Sequence, residues 1–181
     1  MTHDFKQKLE YSLGERKNFD IDLLKKCFAK CISIQKTDIE ADKNGIDYIA
    51  TLTNGATINI DAKTREKGAS KFWKYDEPEL ALEVWSIEPS NTYPGKIGWT
   101  LDNSTLVDYI LYTFDKSDSD KFFLLPFQIL RTVFYNKGKE WTTKYGTKKQ
   151  TNSNWTSKAI FVPASVILAE INKQMAGIAY C

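Results

Sequence analysis

Two aspartates and a lysine stand around a short turn, at a spacing that can bring the three side chains together. Asp47 is followed, after thirteen residues, by the triplet Asp61-Ala62-Lys63, and the segment Thr53-Asn54-Gly55 lies between them. Asn-Gly between two runs of alternating apolar residues is a strong β-hairpin signal. Two carboxylates and an ammonium on one face of a hairpin would hold a divalent cation and orient a water for hydrolysis. The register of the hairpin decides whether the residues share that face.

Two registers compete for this hairpin. A two-residue loop at Asn54-Gly55 would put apolar and charged residues on the same face. A three-residue loop, with Gly55 in the left-handed conformation, places Asp47 opposite Asp61 and separates the faces. We therefore predict the three-residue loop. The other face then carries only uncharged residues, which are Ile46, Tyr48, Ala50, Ile58, Ile60 and Ala62.

Opposed aspartates need a counter-charge. Directly paired residues on neighbouring strands have Cβ atoms about 4.5–5.5 Å apart, and two carboxylates that close repel each other. A shared divalent cation relieves the repulsion, and oxygen ligands suit Mg²⁺ or Mn²⁺. Lys63 lies two residues beyond Asp61 and therefore on the same face of the strand. The sequence thus predicts a Mg²⁺ or Mn²⁺ site at Asp47 and Asp61, with Lys63 beside it.

This arrangement resembles the PD-(D/E)xK nuclease superfamily, whose core runs helix, three strands, helix, strand. Asp47 matches the first acid of the family motif, and Asp61-Ala62-Lys63 matches its acid-x-lysine. A fainter resemblance, to phage and prophage members, lies in residues 95–99 and 108–112. The resemblance implies an α+β (α/β), restriction-endonuclease-like fold, in which helices flank a central mixed sheet and a hairpin of that sheet carries the motif.

The resemblance also implies an activity, namely Mg²⁺-dependent endonuclease cleavage of DNA phosphodiester bonds, and further site residues. Many family members take another glutamate from the first helix; Glu10 and Glu15 are the candidates, and the Gly14-Glu15 step favours Glu15. Glu83 lies inside the apolar run 80–87, which is predicted as the third strand. A carboxylate there is costly to bury unless it is paired or metal-bound. Glu83 is therefore expected either to complete the site from the strand adjacent to the hairpin or to face outwards.

Positive charge is concentrated late in the chain. Residues 131–158 hold seven basic residues and one acid, so the remainder is net −4 although the whole chain is +2. Cations contact phosphates and interleaved aromatic rings can stack on bases; the alternative is a solvated, lysine-rich loop. A second basic stretch directly follows the triplet. The nucleic-acid-binding residues predicted from both stretches are Arg65, Lys67, Lys71, Lys137, Lys139, Lys144, Lys148, Lys149, Trp141, Tyr145 and Trp155.

Length and composition indicate one domain. A chain of 181 residues is long enough to bury a core, and 42% apolar with 13% aromatic residues argues against disorder. We predict a single nuclease-like domain over residues 1–181, with the basic loop 136–158 as an insertion. Asp20 is predicted to cap the start of a helix, and Pro126 and Pro163 are predicted to open two later helices.

Histidine and cysteine are scarce, which limits the kinds of catalytic site that the chain can form and indicates its cellular compartment. The single histidine, His3, provides no material for a Ser-His-Asp triad or a histidine-rich metal centre. Cys27 and Cys31 are interpreted as reduced thiols rather than half a zinc site, which indicates the cytoplasm. The chain has no run of about 18 apolar residues, so no membrane span is expected, and its N-terminus lacks a signal-peptide pattern.

Three functions therefore stay open. The first is a DNA endonuclease that uses carboxylates, lysine and Mg²⁺ or Mn²⁺; because two cuts in a duplex often require two active sites, a homodimer is a candidate assembly. The second is a nuclease-fold protein that binds DNA or serves as a phage accessory protein without catalysis. The third is an ordinary α+β protein that binds a small molecule or another protein.

Overall fold

A computed structural model describes residues 15–38, 45–151 and 155–178. The chain divides into two compact units, each with a β-sheet of its own. The first unit comprises Met1–Thr64, Leu106–Thr113 and Phe122–Pro126, and the second comprises Arg65–Thr105, Phe114–Lys121 and Phe127–Cys181. The fold class is α+β, as predicted, although the sequence led us to expect one sheet.

The described residues form three α-helices, nine strands and one 3₁₀ turn. No helix within the described ranges is both long enough and apolar enough to cross a membrane. In chain order the elements are α1 (Glu15–Cys27), β1 (Cys31–Lys36), β2 (Tyr48–Leu52), β3 (Thr57–Arg65), the 3₁₀ turn (Ala69–Phe72), β4 (Glu79–Ile87), β5 (Lys96–Ile97), β6 (Tyr109–Phe114), β7 (Phe123–Pro126), α2 (Phe127–Tyr145), β8 (Lys148–Thr151), β9 (Thr156–Pro163) and α3 (Ala164–Ile178).

The sheet of the first unit has the strand order β1-β2-β3-β6-β7. The pairs β1–β2, β2–β3 and β6–β7 are antiparallel. Between β3 and β6, the Asn59 N–H donates to the Asp108 carboxylate at 2.8 Å, and the hydroxyls of Thr64 and Thr113 lie 3.1 Å apart. Residue numbers rise together along these two strands, so they run parallel. The sheet is therefore mixed, as predicted.

The hairpin of β2 and β3 adopts the predicted register. Thr51 pairs with Thr57, and the Leu52 N–H donates to the Ala56 carbonyl at 2.9 Å. The Gly55 N–H donates to the Leu52 carbonyl at 2.9 Å, and the φ of Gly55 is +82°. A residue without a Cβ adopts this left-handed conformation at little cost. The three-residue loop is confirmed.

The apolar face of the hairpin lies in the core of the first unit. Tyr48 and Ala50 of β2 and Ile60 of β3 are fully buried with Leu24 of α1 and Leu111 of β6. Burying a large apolar side chain contributes roughly 1.5–3 kcal/mol. A one-residue slip of the hairpin would turn these side chains out of the core, so burial on one face holds the register that orients the other face.

The sheet of the second unit has the strand order β5-β4-β9-β8 and is antiparallel throughout. Its buried face carries Leu80 and Leu82 of β4 and Ile160 and Val162 of β9, and both α2 and α3 contact β9. The segment predicted as the third strand of the hairpin's sheet is β4, and that placement is wrong. The fourth strand of the first sheet is β6, whose buried, apolar sequence suits a central position.

Residues 136–158 do not form an inserted loop. The helix that begins after Pro126, as predicted, continues to Tyr145, and β8 and the start of β9 occupy most of the remaining described residues. The helix continues because buried residues recur along one of its faces. Gly146, with φ of +74°, then ends it, and its N–H donates to the Thr142 carbonyl at 2.9 Å. The buried helix residues include Phe127, Leu130, Phe134, Trp141 and Tyr145.

Candidate active site

A hydrogen bond to the main chain holds the Asp47 carboxylate against the acid-x-lysine triplet. The ladder between β2 and β3 ends at the pair Tyr48–Ile60. Beyond that pair, the Ala62 N–H donates to Asp47 Oδ2 at 2.7 Å, and the Asp47 N–H donates to the Ile60 carbonyl at 2.9 Å. The side chain of Asp47 thus replaces a main-chain acceptor where the ladder stops. This contact positions the first acid beside the middle residue of the triplet.

Asp61 and Lys63 form an ion pair on β3. Lys63 Nζ lies 2.8 Å from Asp61 Oδ2, and the side chain of Lys63 is 32% exposed. Asp61 is only 5% exposed, and a carboxylate that is nearly buried needs a charged or hydrogen-bonding partner. Alternation along the strand puts the two side chains on one face, so the motif balances the charge of Asp61 itself.

Asp47 and Asp61 supply two carboxylates at this end of the hairpin. Within residues 15–38, 45–151 and 155–178, no three histidine, cysteine, aspartate or glutamate side chains are grouped to hold a metal. Mg²⁺ is commonly bound through one or two carboxylates, with waters or substrate phosphates completing its coordination. Asp47 and Asp61 meet that requirement in donor type and number, and the Ala62 carbonyl is a candidate further ligand.

A buried polar network links α1 to three strands of the first sheet. Arg16 Nε lies 3.1 Å from both carboxylate oxygens of Asp20, and the Tyr48 hydroxyl donates to Asp20 Oδ2 at 3.0 Å. Arg16 also donates to the Thr113 hydroxyl, which lies 3.1 Å from the hydroxyl of Thr64. The network therefore holds α1 to β2, β3 and β6. Two of these strands form the motif hairpin.

This network was not predicted from the sequence, and Asp20 does not occupy its predicted position at the start of a helix. Asp20 lies inside α1 rather than at its N-terminus, so the prediction that it caps the helix is wrong. Its carboxylate is held by Arg16, one helical turn earlier, instead of by main-chain amides. The spacing of Arg16 and Asp20, i and i+4, was the available signal, because such pairs face each other along a helix.

The structure tests only one of the two glutamates that were predicted to complete the site. Glu15 is the first residue of α1, and its side chain lies outside the described part of the structure. Glu83 lies on β4, whose sheet neighbours are β5 and β9, so its predicted position on the strand adjacent to the hairpin is wrong. The Glu83 carboxylate accepts hydrogen bonds from the Ser86 hydroxyl at 2.6 Å and the Trp99 N–H at 3.5 Å.

Two aromatic residues predicted to stack on nucleic-acid bases are buried. Trp141 is 1% exposed and Tyr145 is 7% exposed. The ring of Trp141 lies 6.3 Å from that of Phe134, and the ring of Tyr145 makes an edge contact with Tyr75 at 6.0 Å. Both residues lie on the face of α2 that packs into the second unit. The prediction that they contact bases is therefore wrong.

The predicted basic residues all lie in the second unit. Lys137 pairs with Glu140 at 2.9 Å, and Lys149 pairs with Glu88 at 2.8 Å. Exposed ion pairs of this kind contribute little to stability, so both lysines can exchange their partners for phosphate at small cost. The ammonium of Lys144 lies over the ring of Tyr145. Three others, Lys67, Lys71 and Lys139, are exposed, while Arg65 and Lys148 contact the ring of Phe161.

Trp155 is the one predicted stacking residue with an accessible ring. It is 44% exposed and lines an open cleft of about 550 Å³. Tyr93, also 44% exposed, lines the same cleft together with Ser90 and Thr156. Both rings can therefore be reached from solvent, and Trp155 stays a candidate for contact with a base.

Comparison with known proteins yields no match among protein-family models, curated proteins or solved structures. The function is therefore inferred from the residues of the site and their geometry.

Proposed function

We propose that this protein is a metal-dependent DNA endonuclease whose site consists of Asp47, Asp61 and Lys63. The main support is the 2.7 Å hydrogen bond from the Ala62 N–H to Asp47, which keeps both acids at one end of the hairpin. The 2.8 Å contact between Lys63 and Asp61 supplies the cation of the motif at the same place. Two carboxylates can hold a divalent cation that activates water, and an ammonium beside them can balance the charge that develops on a phosphate during hydrolysis.

The strand order is a second support. The first sheet contains three antiparallel strands, β1 to β3, and β6 lies parallel to β3 as the next strand. In the family that the motif resembles, the core likewise begins with a helix and three strands and ends with a further strand. One departure is clear, because the segment between β3 and β6 contains β4, β5 and a 3₁₀ turn but no α-helix. The topology therefore supports the proposal through the order of the strands in the first sheet and through α1, but not through a helix between β3 and β6.

In the proposed reaction, each residue of the site would have a separate role. A divalent cation held by Asp47 and Asp61 would supply a bound water of lowered pKa and positive charge for the transition state. The Ala62 amide holds Asp47 in place before the substrate arrives. Lys63, a donor of up to three hydrogen bonds, is exposed enough to reach a water or a phosphate oxygen beside Asp61. Its ammonium then balances charge that develops on the phosphate.

The test is cleavage of linear, circular and branched DNA with Mg²⁺, with Mn²⁺ and with EDTA. Asp47→Asn, Asp61→Asn and Lys63→Ala should each lower the metal-dependent rate by about 100-fold or more, the effect typical of losing a group that stabilises transition-state charge. Circular dichroism and DNA binding in EDTA should stay close to wild type, because the substitutions lie outside the core of the first unit and the basic stretches. Lys63→Ala should also lower the melting temperature, because it removes the partner of the nearly buried Asp61.

Asp108→Asn is a matched control. The Asp108 carboxylate, like that of Asp47, accepts a main-chain N–H of β3, from Asn59 at 2.8 Å. Its replacement removes the same charge and should leave cleavage unchanged. Equal cleavage by the wild type, Asp61→Asn and Lys63→Ala would rule out this site.

A nuclease-fold protein that binds DNA without cleaving it, such as a phage accessory protein, is the second candidate function. The ion pair between Asp61 and Lys63 favours it, because the pair balances charge within the motif without a metal. This function predicts DNA affinity that falls steeply with salt and no cleavage with either metal.

A further inference from the structure

Two cationic side chains of the second unit converge on one aromatic ring. The guanidinium carbon of Arg65 and the Nζ of Lys148 each lie 4.7 Å from the ring centroid of Phe161. The two charges are therefore no further apart than twice that distance, and at such a separation they repel each other. In the described part of the chain, neither cation forms an ion pair with a carboxylate.

The second sheet creates this convergence. Ile160 and Val162 point into the core, so Phe161 between them lies on the opposite face of β9. Lys148 of β8 pairs with Ala159, two residues before Phe161, and therefore shares its face. Arg65, the last residue of β3, reaches the same ring.

The Nε of Arg65 is a buried donor with no hydrogen-bond partner among the described residues. A guanidinium that stacks on a ring uses its flat face and leaves its N–H groups directed outwards in its own plane. A buried donor that lacks an acceptor costs free energy. Because the buried Nε cannot be reached from solvent, an external anion would bind the guanidinium through its two terminal nitrogens.

Two acids of β4, Glu79 and Glu83, each lie two residues from Ala81, the strand partner of Phe161. Glu79 Oε1 accepts the main-chain N–H of Lys74 at 3.1 Å. Glu83 pairs with Ala159, as Lys148 does. Its Oε2, however, accepts the hydroxyl of Ser86 at 2.6 Å and the N–H of Trp99 at 3.5 Å. Its charge is thus stabilised by neutral donors and not by either cation. Among residues 15–38, 45–151 and 155–178, no carboxylate forms an ion pair with Arg65 or Lys148, so both cations can accept an anion from outside the chain.

We infer that Arg65 and Lys148 form a phosphate-binding site on the ring of Phe161, and that its ligand is the backbone of a DNA strand. Arginine presents a planar fork that matches two phosphate oxygens, lysine adds a point charge, and the ring limits the motion of the guanidinium. Such a site reads no bases. The choice of DNA as the source of phosphate rests on the proposed function, whereas the site itself rests on these three side chains.

The experiment measures binding in EDTA, where no metal-dependent cleavage occurs. The probes are a fluorescein-labelled oligo-dT strand, a labelled duplex of equal length, and inorganic phosphate, each titrated over a series of salt concentrations. Arg65→Gln and Lys148→Gln should each reduce the slope of log K against log salt, by about 0.7 for the single strand or 0.9 for the duplex. Both should also weaken the binding of inorganic phosphate.

Lys173→Gln is the matched control, because it removes the same charge from a lysine of the second unit that lies outside both basic stretches. Lys173, on α3, pairs with Glu170 at 2.6 Å and is 70% exposed, so its loss should leave the slope unchanged. Arg65→Lys keeps the charge but loses the fork, and should bind DNA with an affinity between those of the wild type and Arg65→Gln. If Arg65→Gln does not fold, Lys148→Gln decides the result alone.

The inference is overturned if Lys148→Gln and Lys173→Gln reduce the slope equally, or if neither Arg65→Gln nor Lys148→Gln reduces it. Loss of phosphate binding with unchanged DNA binding would overturn DNA as the ligand. Asp61→Asn protein should bind as the wild type does in EDTA. If the wild-type protein cleaves no DNA but Arg65→Gln and Lys148→Gln still reduce the slope of log K against log salt, the proposed nuclease activity would be refuted and the proposed phosphate site would stand.

Discussion

Tyr48 connects the apolar core to the polar network behind the motif. Its ring is buried with Leu24 and Ile60, and its hydroxyl donates to Asp20 at 3.0 Å. Burial and the neighbouring Asp20 carboxylate raise the pKa of the Tyr48 hydroxyl well above its ordinary value of 10. The phenol therefore keeps its proton at neutral pH and serves as a donor to a carboxylate that water cannot reach.

Tyr48→Phe should lower the free energy of unfolding by about 1.5–3 kcal/mol, the range for a hydrogen bond to a charged group. The ring stays in place, so the loss isolates the contact with Asp20. The measurement is urea unfolding followed by circular dichroism. Tyr109→Phe serves as the control, because the ring of Tyr109 makes an edge contact with Phe28 at 5.7 Å that the substitution preserves. Equal unfolding midpoints for Tyr48→Phe and Tyr109→Phe would contradict the role given to the network.

The 3₁₀ turn Ala69–Phe72 shows how one carboxylate positions an element. Asp118 accepts the N–H groups of Gly68 at 2.7 Å and Ala69 at 3.1 Å, together with the hydroxyl of Ser70. The first amides of a helical turn have no main-chain acceptor within the turn, and an anion there is favourable. The basic stretch that follows the motif is thereby held in a defined conformation.

The Asp118 contacts predict a pH-dependent stability. The hydrogen bond from Ser70, followed by those from main-chain amides, lowers the pKa of Asp118 below its ordinary 3.8. A group with a lower pKa in the folded state contributes stability above its unfolded pKa and loses it as pH falls through the folded value. Asp118→Asn should therefore lower the melting temperature at neutral pH, and the difference from the wild type should shrink below pH 3.8.

Melting temperatures of the wild type and Asp118→Asn over a pH series test this expectation. Asp120→Asn, at an exposed position two residues later, is the control and should match the wild type at every pH. A difference between Asp118→Asn and the wild type that is the same at neutral and acidic pH would show that the charge of Asp118 has no part in it.

Metal binding should raise the free energy of unfolding of the whole protein. A ligand that binds only the folded state stabilises it by about 2.7 kcal/mol when its concentration is 100 times Kd. Mn²⁺ or Ca²⁺ should therefore raise the melting temperature of the wild type and of Asp108→Asn, and chelation should reverse the gain. Asp47→Asn and Asp61→Asn should gain much less. An identical response from all four proteins would place the metal elsewhere.

The division of the chain into two units was not predicted. Its length and composition indicated one domain, but each sheet is built from segments that are far apart in sequence. The first unit contains all three residues of the proposed site, and the second contains the predicted basic residues. Composition cannot distinguish one core from two, because the same apolar residues can supply either.

The register of the motif hairpin was determined by the sequence alone. Asn54-Gly55 marks the turn, and alternation on both sides allows only one pairing that separates apolar from charged residues. The starts of α2 and α3 after Pro126 and Pro163 were likewise predictable, since proline suits the first turn of a helix. These features depend on interactions within a few residues, which local sequence describes.

Tertiary structure alone decided which strand lies beside β3, which aromatic residues of α2 are buried, and what holds Asp20. Any apolar, alternating segment can pair with the hairpin, so the strand pattern does not distinguish β6 from β4. Trp141 and Tyr145 have the composition of a stacking surface, yet they are buried because their side of α2 faces the core. Each of these outcomes follows from packing between segments distant in sequence, where burial on a shared face outweighs local propensity.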